Sequence, residues 1–312
     1  MDRANALGNR ARDPAVRSQV DIPPSGCIRV EQPALVPPQV VDLLLATWAN
    51  ANGPAATTPA SKYTFRDWTL AHAEDFRSTQ AGRTFPDPRR TDMAFAGVSE
   101  SIVATPERQQ AMIDSLVAAA RNAPWPRGLL QSSLYASLDG TTVLNYAQWA
   151  SDEAFDQFAQ TRLKSLTAEV DRAVPGITRK PGVRYRLYRG NRRESANGLV
   201  PGCIVFVSVE FDGPDEQRQR KWVDTVFEAL EAEPALPEGG ISGYFHLSVD
   251  GTRVLNYAEW TSEAAHREAI ERSGQGTVGR GPKWLDVRNF PGVVSNGFKR
   301  YRLVASLTEK KG

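Results

Sequence analysis

Two asparagine–tryptophan pairs carry the clearest chemical signal in the sequence. Asn145 precedes Trp149 by four residues, and Asn256 precedes Trp260 by the same spacing. In a β-strand, residues at even spacing project from one face, so each amide and its indole would share a face. An indole offers a flat apolar surface, and an amide can both donate and accept hydrogen bonds. Each pair could therefore hold a flat aromatic ligand by stacking and by one directional polar contact.

The two pairs lie in a segment that occurs twice along the chain. Residues 139–149 and 250–260 share the pattern Asp-Gly-Thr-x-Val-Leu-Asn-Tyr-Ala-x-Trp, and Arg-Tyr-Arg-Leu follows at 184–187 and again at 300–303. Self-similarity of this kind is the mark of a duplicated structural unit. The sequence therefore predicts two tandem copies of one module.

The residue pattern of each copy predicts the same order of elements: strand, helix, strand, strand, helix, strand. The first strands are predicted over 95–104 and 203–211, and the last over 183–188 and 298–304. This order is the ferredoxin-like α+β pattern, in which both helices cover one face of the sheet. The other face must be buried, and the neighbouring copy is the obvious partner. We therefore predict two sheets packed face to face in a fused pseudo-dimer.

Helix starts are predicted from the capping residues. Thr105 in the first copy and Gly213 in the second are expected to cap the first helix, and Ser151 and Ser262 to cap the second.

The predicted organisation divides the chain into five parts: an N-terminal extension (1–92), a first module (93–190), a linker (191–199), a second module (200–306) and a short tail (307–312). The extension is rich in proline, and we expect roughly its first 25 residues to be disordered. Residues 26–79 could hold a decayed half-copy of the module.

The hairpin of each copy fixes which residues face each other. The Asp-Gly pair predicts a two-residue type I′ turn. That turn sets Asn145 opposite Leu134, Ala147 opposite Ser132, Trp149 opposite Leu130, Asn256 opposite Phe245, Ala258 opposite Gly243, and Trp260 opposite Ile241. Small residues between each amide and indole leave a depression about 13 Å long, which would suit a polycyclic ligand. We therefore predict substrate-binding roles for Ser132, Leu134, Ala147, Gly243, Phe245 and Ala258.

A purely structural interpretation of the pairs stands beside the chemical one. Trp149 and Trp260 could be core aromatics, and the asparagines could satisfy nearby backbone groups. An asparagine within an apolar strand face is a poor packing choice, however, because its buried amide must find partners. Its presence in both copies favours a role in binding.

Several function classes are disfavoured by composition and motifs. The chain has 38 basic and 36 acidic side chains without a basic stripe, which disfavours nucleic acid as a partner. No apolar run is long enough to cross a membrane and no secretory signal is recognised, so we expect a cytoplasmic protein. Cys27 and Cys203 are expected to be buried free thiols, and no metal-ligand spacing occurs.

For a glycine-rich segment and two histidines we predict a place in the structure and no direct chemical role. The glycine-rich segment 274–281 follows a helix, so we interpret it as a flexible loop over the second pocket and not as a phosphate site. His246 is expected on the sheet face opposite Asn256, at the interface of the copies or the surface. His266 is expected on a solvated helix face.

The hairpin motif resembles that of antibiotic biosynthesis monooxygenase domains, over roughly 93–190 and 200–306. The resemblance implies a dimeric α+β barrel, here formed within one chain. Members that act on aromatic polyketides oxidise anthrone-type substrates to quinones with molecular oxygen and neither metal nor flavin. The resemblance also implies catalytic roles for Asn145, Trp149, Asn256 and Trp260. A final-strand arginine is implied as well, either Arg184 or Arg186 and either Arg300 or Arg302, of which Arg186 and Arg302 are our choices.

The function predicted from these features is cofactor-independent oxidation of a polycyclic aromatic intermediate, with oxygen as co-substrate. No histidine repeats between the copies, which disfavours haem. One alternative is a polyketide cyclase or ring-rearranging enzyme on the same substrate class. The other is a non-catalytic binding or assembly protein. Whether both pockets work, and whether the fused pair forms a homo-oligomer, stays open.

Overall fold

The computed structural model describes residues 84–309 of the chain. Predictions for residues 1–83 and 310–312 lie outside this part. In the first copy the elements are β1 (Phe95–Ile102), α1 (Pro106–Arg121), β2 (Leu129–Ser137), β3 (Thr142–Trp149), α2 (Asp152–Phe158), α3 (Lys164–Ala173), β4 (Thr178–Arg179) and β5 (Val183–Arg192). In the second copy they are β6 (Cys203–Phe211), α4 (Glu216–Glu231), β7 (Gly240–Ser248), β8 (Arg253–Trp260), α5 (Glu263–Ser273), α6 (Trp284–Arg288) and β9 (Val293–Leu307).

Side-chain caps start the helices close to where the sequence places them. Thr105, Ser151 and Ser262 each accept a hydrogen bond from the backbone N–H three residues ahead, as predicted. The prediction of Gly213 as a cap is wrong. Asp215 caps α4 instead, because its carboxylate accepts from the N–H of Arg218 at 3.0 Å.

The strands of both copies join one antiparallel sheet in the order β3-β2-β9-β6-β8-β7-β5-β1-β4, with a further pairing between β3 and β1. Within a copy the order is β5-β1-β3-β2 or β9-β6-β8-β7, the ferredoxin-like arrangement that the sequence predicts. Between copies, β2 pairs with β9 and β5 pairs with β7. The α+β class and the ferredoxin-like strand order are therefore confirmed.

The last strand of each copy is longer than predicted, because it serves both copies. β5 continues through Arg192 and pairs with β7, where Asn191 lies opposite Gly243. The first residues of the predicted linker are therefore part of the sheet. This extension carries first-copy residues alongside the second hairpin.

A buried aromatic cluster draws on both copies. Its largest members are Tyr135, Tyr146, Tyr185, Phe206, Tyr244, Tyr257 and Tyr301. The hydroxyls of Tyr135 and Tyr257 are 3.1 Å apart, and that of Tyr146 is 3.1 Å from Nε2 of His246. Buried phenols need such partners, and here each partner belongs to the other copy. His246 is fully buried in this cluster, on the face opposite Asn256, as predicted.

The hairpin tips differ from the predicted type I′ turn. That turn needs positive φ at both central residues, but only the glycines have it, with Gly140 at 74° and Gly251 at 75°. Asp139 and Asp250 instead act as acceptors: each carboxylate takes a hydrogen bond from the N–H of the threonine two residues on, at 3.0 Å. The Asp-Gly-Thr part of the motif therefore builds the turn.

Replacement of Asp250 by alanine should lower the free energy of unfolding by about 1 kcal/mol at pH 7, through loss of its accepted hydrogen bonds. Burial raises the pKa of Asp250, but hydrogen bonds from Ser248 and Thr252 outweigh it and leave the pKa below its ordinary value. The stabilisation is therefore present above the unfolded pKa of about 4 and is lost as pH falls through the folded pKa. Urea unfolding at pH 7 and pH 3 checks this, and an undiminished difference at pH 3 would contradict it.

Candidate functional site

The hairpin register places the predicted site residues with one shared difference. Asn145 pairs with Leu134, Ala147 with Ser132, Asn256 with Phe245, and Ala258 with Gly243, as predicted. The predicted partners of the tryptophans are wrong, because a β-bulge shifts the register at each strand start. Trp149 pairs with Leu129 and Trp260 with Gly240. In the second copy the residue opposite the indole therefore has no side chain.

A cavity of about 750 Å³ lies on the helix-covered face of the second copy. This volume is within the range of small-molecule sites. Five predicted residues line it: Asn256, Trp260, Gly243, Phe245 and Ala258. Apolar side chains of β6 and α4 make up much of the remaining wall. The structure thus brings the second amide and its indole to one hollow.

The glycine-rich segment also contributes to this wall. Residues 275–278 line the cavity, in agreement with the predicted loop over the second pocket. Glu233 fixes the adjoining chain, since its Oε1 accepts from the N–H of Gly281 at 2.6 Å and from Nε1 of Trp284 at 2.8 Å.

The amide oxygen of Asn256 is buried and has no hydrogen-bond partner among the described residues. Buried polar atoms are rarely left this way, because an unmade hydrogen bond costs about 1–3 kcal/mol. Gly243 faces it, and a Cβ at Gly243 would lie only 3.4 Å from that oxygen. The Asn256 amide can therefore offer its oxygen to a ligand or, after rotation of the amide, its NH₂ group.

The corresponding amide oxygen of the first copy already has a partner. Ser132, the counterpart of Gly243, donates its hydroxyl to Oδ1 of Asn145 at 2.8 Å. None of Ser132, Leu134, Asn145, Ala147 and Trp149 lines the 750 Å³ cavity. The asparagine of the motif therefore accepts an internal hydrogen bond in the first copy, whereas in the second copy it lies at an open cavity.

Aromatic rings fill the space beside the first tryptophan. The ring centroids of Phe155 and Phe158 both lie 5.3 Å from that of Trp149. The counterparts of these phenylalanines in the second copy are His266 and Ala269. Smaller and more polar side chains thus leave the second hollow open. The two motifs alone do not reveal this asymmetry.

The chosen arginines do not reach the cavity. Arg186 is more than half exposed and pairs with Asp152 at 3.3 Å, and Arg302 does not line the cavity. The other candidate in the second copy, Arg300, donates from Nε to Nδ1 of His266 at 2.9 Å. Arg300 and Arg302 share a strand face, so the position of α5 decides between them.

His266 is a site residue that the sequence interpretation missed. It is only 2% exposed, not solvated as predicted, and it lines the cavity. Its ring lies 4.8 Å from that of Trp260 and 5.0 Å from that of Phe298. The spacing of the buried α5 residues 266, 269 and 273 is the helical signal that could have found it.

The His266 ring is neutral and can donate a hydrogen bond to a ligand. Burial, and then the positive charge of Arg300, lower its pKa to about 4. The ring is therefore neutral at pH 7. Because Nδ1 accepts from Arg300, the proton is on Nε2, which can donate to an oxygen of a ligand.

We expect neither His246 nor His266 to titrate between pH 5.5 and pH 8. Burial lowers the pKa of His246 to about 4 as well. Both rings are neutral in the folded protein, so stability is at its full value above the unfolded pKa of about 6.5 and falls between there and pH 4. Ring ¹H–¹⁵N NMR spectra, assigned with His266→Gln, check this. A midpoint near 6.5 for either ring would contradict it.

Other reactive groups in the described part do not form a site. Burial raises the pKa of the Cys203 thiol to about 12, as expected for an inert buried thiol, whereas Cys27 lies outside the described residues. Residues 84–309 contain no cluster of three or more His, Cys, Asp or Glu side chains able to hold a metal. Within the same residues, no helix combines the length and apolarity that a membrane span requires.

Known proteins are similar to this chain over part of its length. No family model matches the chain. Tetracenomycin-F1 monooxygenase of Streptomyces glaucescens is 37% identical over 69 residues, which span 22% of this chain and 62% of that protein. The match therefore covers less than two thirds of that relative.

Two solved structures are also similar to this chain. An anthrone oxidase-like protein superposes with a TM-score of 0.55 and 18% identity, over 72% of this chain and 95% of its own. The monooxygenase ActVA-Orf6 of Streptomyces coelicolor, solved with Nanaomycin D, is 28% identical over 36% of this chain and 90% of its own, with a TM-score of 0.23.

The resemblance to antibiotic biosynthesis monooxygenases that the motif predicts is confirmed. In sequence, the particular similarity is to tetracenomycin-F1 monooxygenase.

Proposed function

We propose that the chain is a cofactor-independent monooxygenase that oxidises a polycyclic, anthrone-like polyketide intermediate with O₂ in the second-copy cavity. The observation that carries this proposal is the unpartnered amide oxygen of Asn256 beside Trp260 in a largely apolar cavity. The similarity to tetracenomycin-F1 monooxygenase supports the reaction class.

The proposed architecture is an intramolecular dimeric α+β barrel formed by modules at 93–190 and 200–306. The pairings of β2 with β9, β5 with β7, and β1 with β3 support it, because they join eight strands in a ring. In this arrangement the shared tyrosine cluster is the barrel interior, and the ligand cavity lies outside it under the helices of the second module.

The chemistry follows from the substrate. A deprotonated anthrone is an electron-rich enolate, which can pass electrons to O₂. The methylene carbon gains one oxygen atom and becomes the second quinone carbonyl, its two hydrogens leave, and the other oxygen atom departs as water. The protein needs to hold the rings, exclude bulk water and stabilise negative charge on the enolate and the developing peroxide.

The described residues can divide these tasks. The Trp260 ring provides a stacking surface, and the walls of β6 and α4 keep the cavity apolar. The NH₂ group of Asn256 and the Nε2–H of His266 are donors for the charged oxygens. Arg300 orients His266 through the bond to Nδ1.

Oxygen-dependent turnover tests the proposal. Purified protein is incubated with an anthrone in air-saturated buffer that contains EDTA and no flavin, and quinone absorbance is followed together with O₂ consumption. We expect one O₂ consumed per quinone formed, above the rate with heat-denatured protein. A rearranged product without O₂ uptake would favour the cyclase, and binding without turnover would favour a binding protein.

A further inference from the structure

Arg193 lies at the cavity wall, two residues beyond Asn191, which also lines the cavity. Its backbone N–H donates to the carbonyl of Ile241 at 3.0 Å, which continues the pairing of β5 with β7. Residues two apart on a strand share a face, so the side chains of Asn191 and Arg193 both project to the cavity side. The first copy thus supplies a cation to the second-copy site.

The guanidinium of Arg193 has no hydrogen bond or ion pair with any residue in the range 84–309. The acidic groups that share the cavity wall are engaged elsewhere. Glu233 accepts from Gly281 and Trp284, and Glu231 pairs with Arg189 at 3.3 Å. Arg288 also lines the cavity but is exposed, so water can solvate its charge.

Burial of Arg193 has an electrostatic cost. It lowers the pKa of this guanidinium, although an arginine remains charged at neutral pH. A partly desolvated cation beside apolar walls gains stability when an anion joins it. Among anions, a carboxylate matches the planar fork of a guanidinium with two parallel hydrogen bonds.

We propose that Arg193 binds a carboxylate group of the aromatic substrate, so that the cavity selects polycyclic acids. This inference rests on the proposed function for its choice of an aromatic substrate. The carboxylate takes no part in the oxidation and fixes which end of the ring system points toward Asn256.

The sheet geometry sets the length of such a ligand. Asn191, Gly243 and Ala258 lie in one row across β5, β7 and β8. Strand spacing and rise per residue put the Cα atoms of Arg193 and Asn256 roughly 16 Å apart. A ligand that contacts both side chains must be elongated, as a fused ring system with a terminal carboxylate is.

Binding of two matched probes tests the anchor without turnover. Anthraquinone-2-carboxylate and anthraquinone-2-carboxamide have the same shape and differ in charge. We expect the wild-type protein to bind the carboxylate about 10- to 100-fold more tightly, the range for hydrogen bonds to a charged group. Arg193→Gln should remove that preference and leave the carboxamide affinity unchanged. Arg267→Gln, an exposed charge change on α5, should keep the preference.

The outcomes separate this inference from the proposed function. Equal affinity of the wild-type protein for the two probes, or equal weakening of both by Arg193→Gln, would overturn the anchor. A carboxylate preference that depends on Arg193 supports it even if no anthrone is oxidised, in which case only the proposed function fails.

Discussion

Replacement of Asn256 by alanine is expected to lower kcat for anthrone oxidation by about 100- to 1000-fold, the effect of removing one donor to a developing oxyanion. The Asn256 amide lies at the open cavity and its oxygen has no partner in the described chain, so its hydrogen-bonding capacity is available to substrate. Initial rates of quinone formation under saturating anthrone measure the change.

Asn145→Ala is the matched control, since it removes the same residue from the same motif. The Asn145 amide accepts from Ser132, and aromatic rings fill the space beside Trp149. We therefore expect kcat per folded molecule to remain that of the wild type. Equal losses from both substitutions would show that two sites work, and unchanged rates for both would remove the amide from the mechanism.

Gly243→Ser is expected to reduce kcat/KM by about 10- to 100-fold while it preserves or raises stability. The new hydroxyl would donate to Oδ1 of Asn256 as Ser132 does to Asn145. This internal bond would hold the amide oxygen in place and oppose the rotation that offers the NH₂ group to substrate. The strand backbone tolerates the change, because Gly243 does not have positive φ. Loss of glycine from a strand adds about 0.5–1 kcal/mol of stability.

Gly243→Ala separates the hydroxyl from the added volume. Its Cβ would lie 3.4 Å from Oδ1 of Asn256 and 3.6 Å from the Phe245 ring, so some narrowing of the cavity is expected without a new donor. A smaller loss than with serine is the expected result for kcat/KM, with melting temperatures measured in parallel. Equal losses in the two variants would show that space alone limits binding.

Much of the framework was predictable, because it depends on local patterns that repeat. The hairpin motif fixed the pairing of Asn256 with Phe245 and of Ala258 with Gly243, and strand parity placed His246 on the opposite face. Serine caps located the second helix of each copy. Such features follow from turn length, side-chain alternation and capping, all of which act over a few residues.

The unpredicted features depend on contacts between elements. The bulge at Gly240 has no strong local signature, and it moves the residue opposite Trp260 by one position. The difference between the copies lies in α2 and α5, where Phe155 in one copy corresponds to His266 in the other. Both hairpins have the same motif, so only the packing of those helices shows which hollow is open.

The sequence also could not show which of the two final-strand arginines, Arg300 or Arg302, contacts the site. Arg300 and Arg302 project from the same strand face, and the bond to His266 arises from where α5 packs. The sequence did not indicate Arg193 either, because its segment looks like a linker. In the structure β5 extends to Arg192, the residue before it, and so places Arg193 at the second-copy site.

A crystal structure of the full chain soaked with anthraquinone would show directly whether Asn256 and Trp260 form the ligand site. We expect one ring system in the second-copy cavity, against Trp260 and with a carbonyl oxygen within hydrogen-bond distance of the Asn256 amide. Anthraquinone bound beside Trp149, or placed in the second-copy cavity without a contact to Asn256, would contradict it.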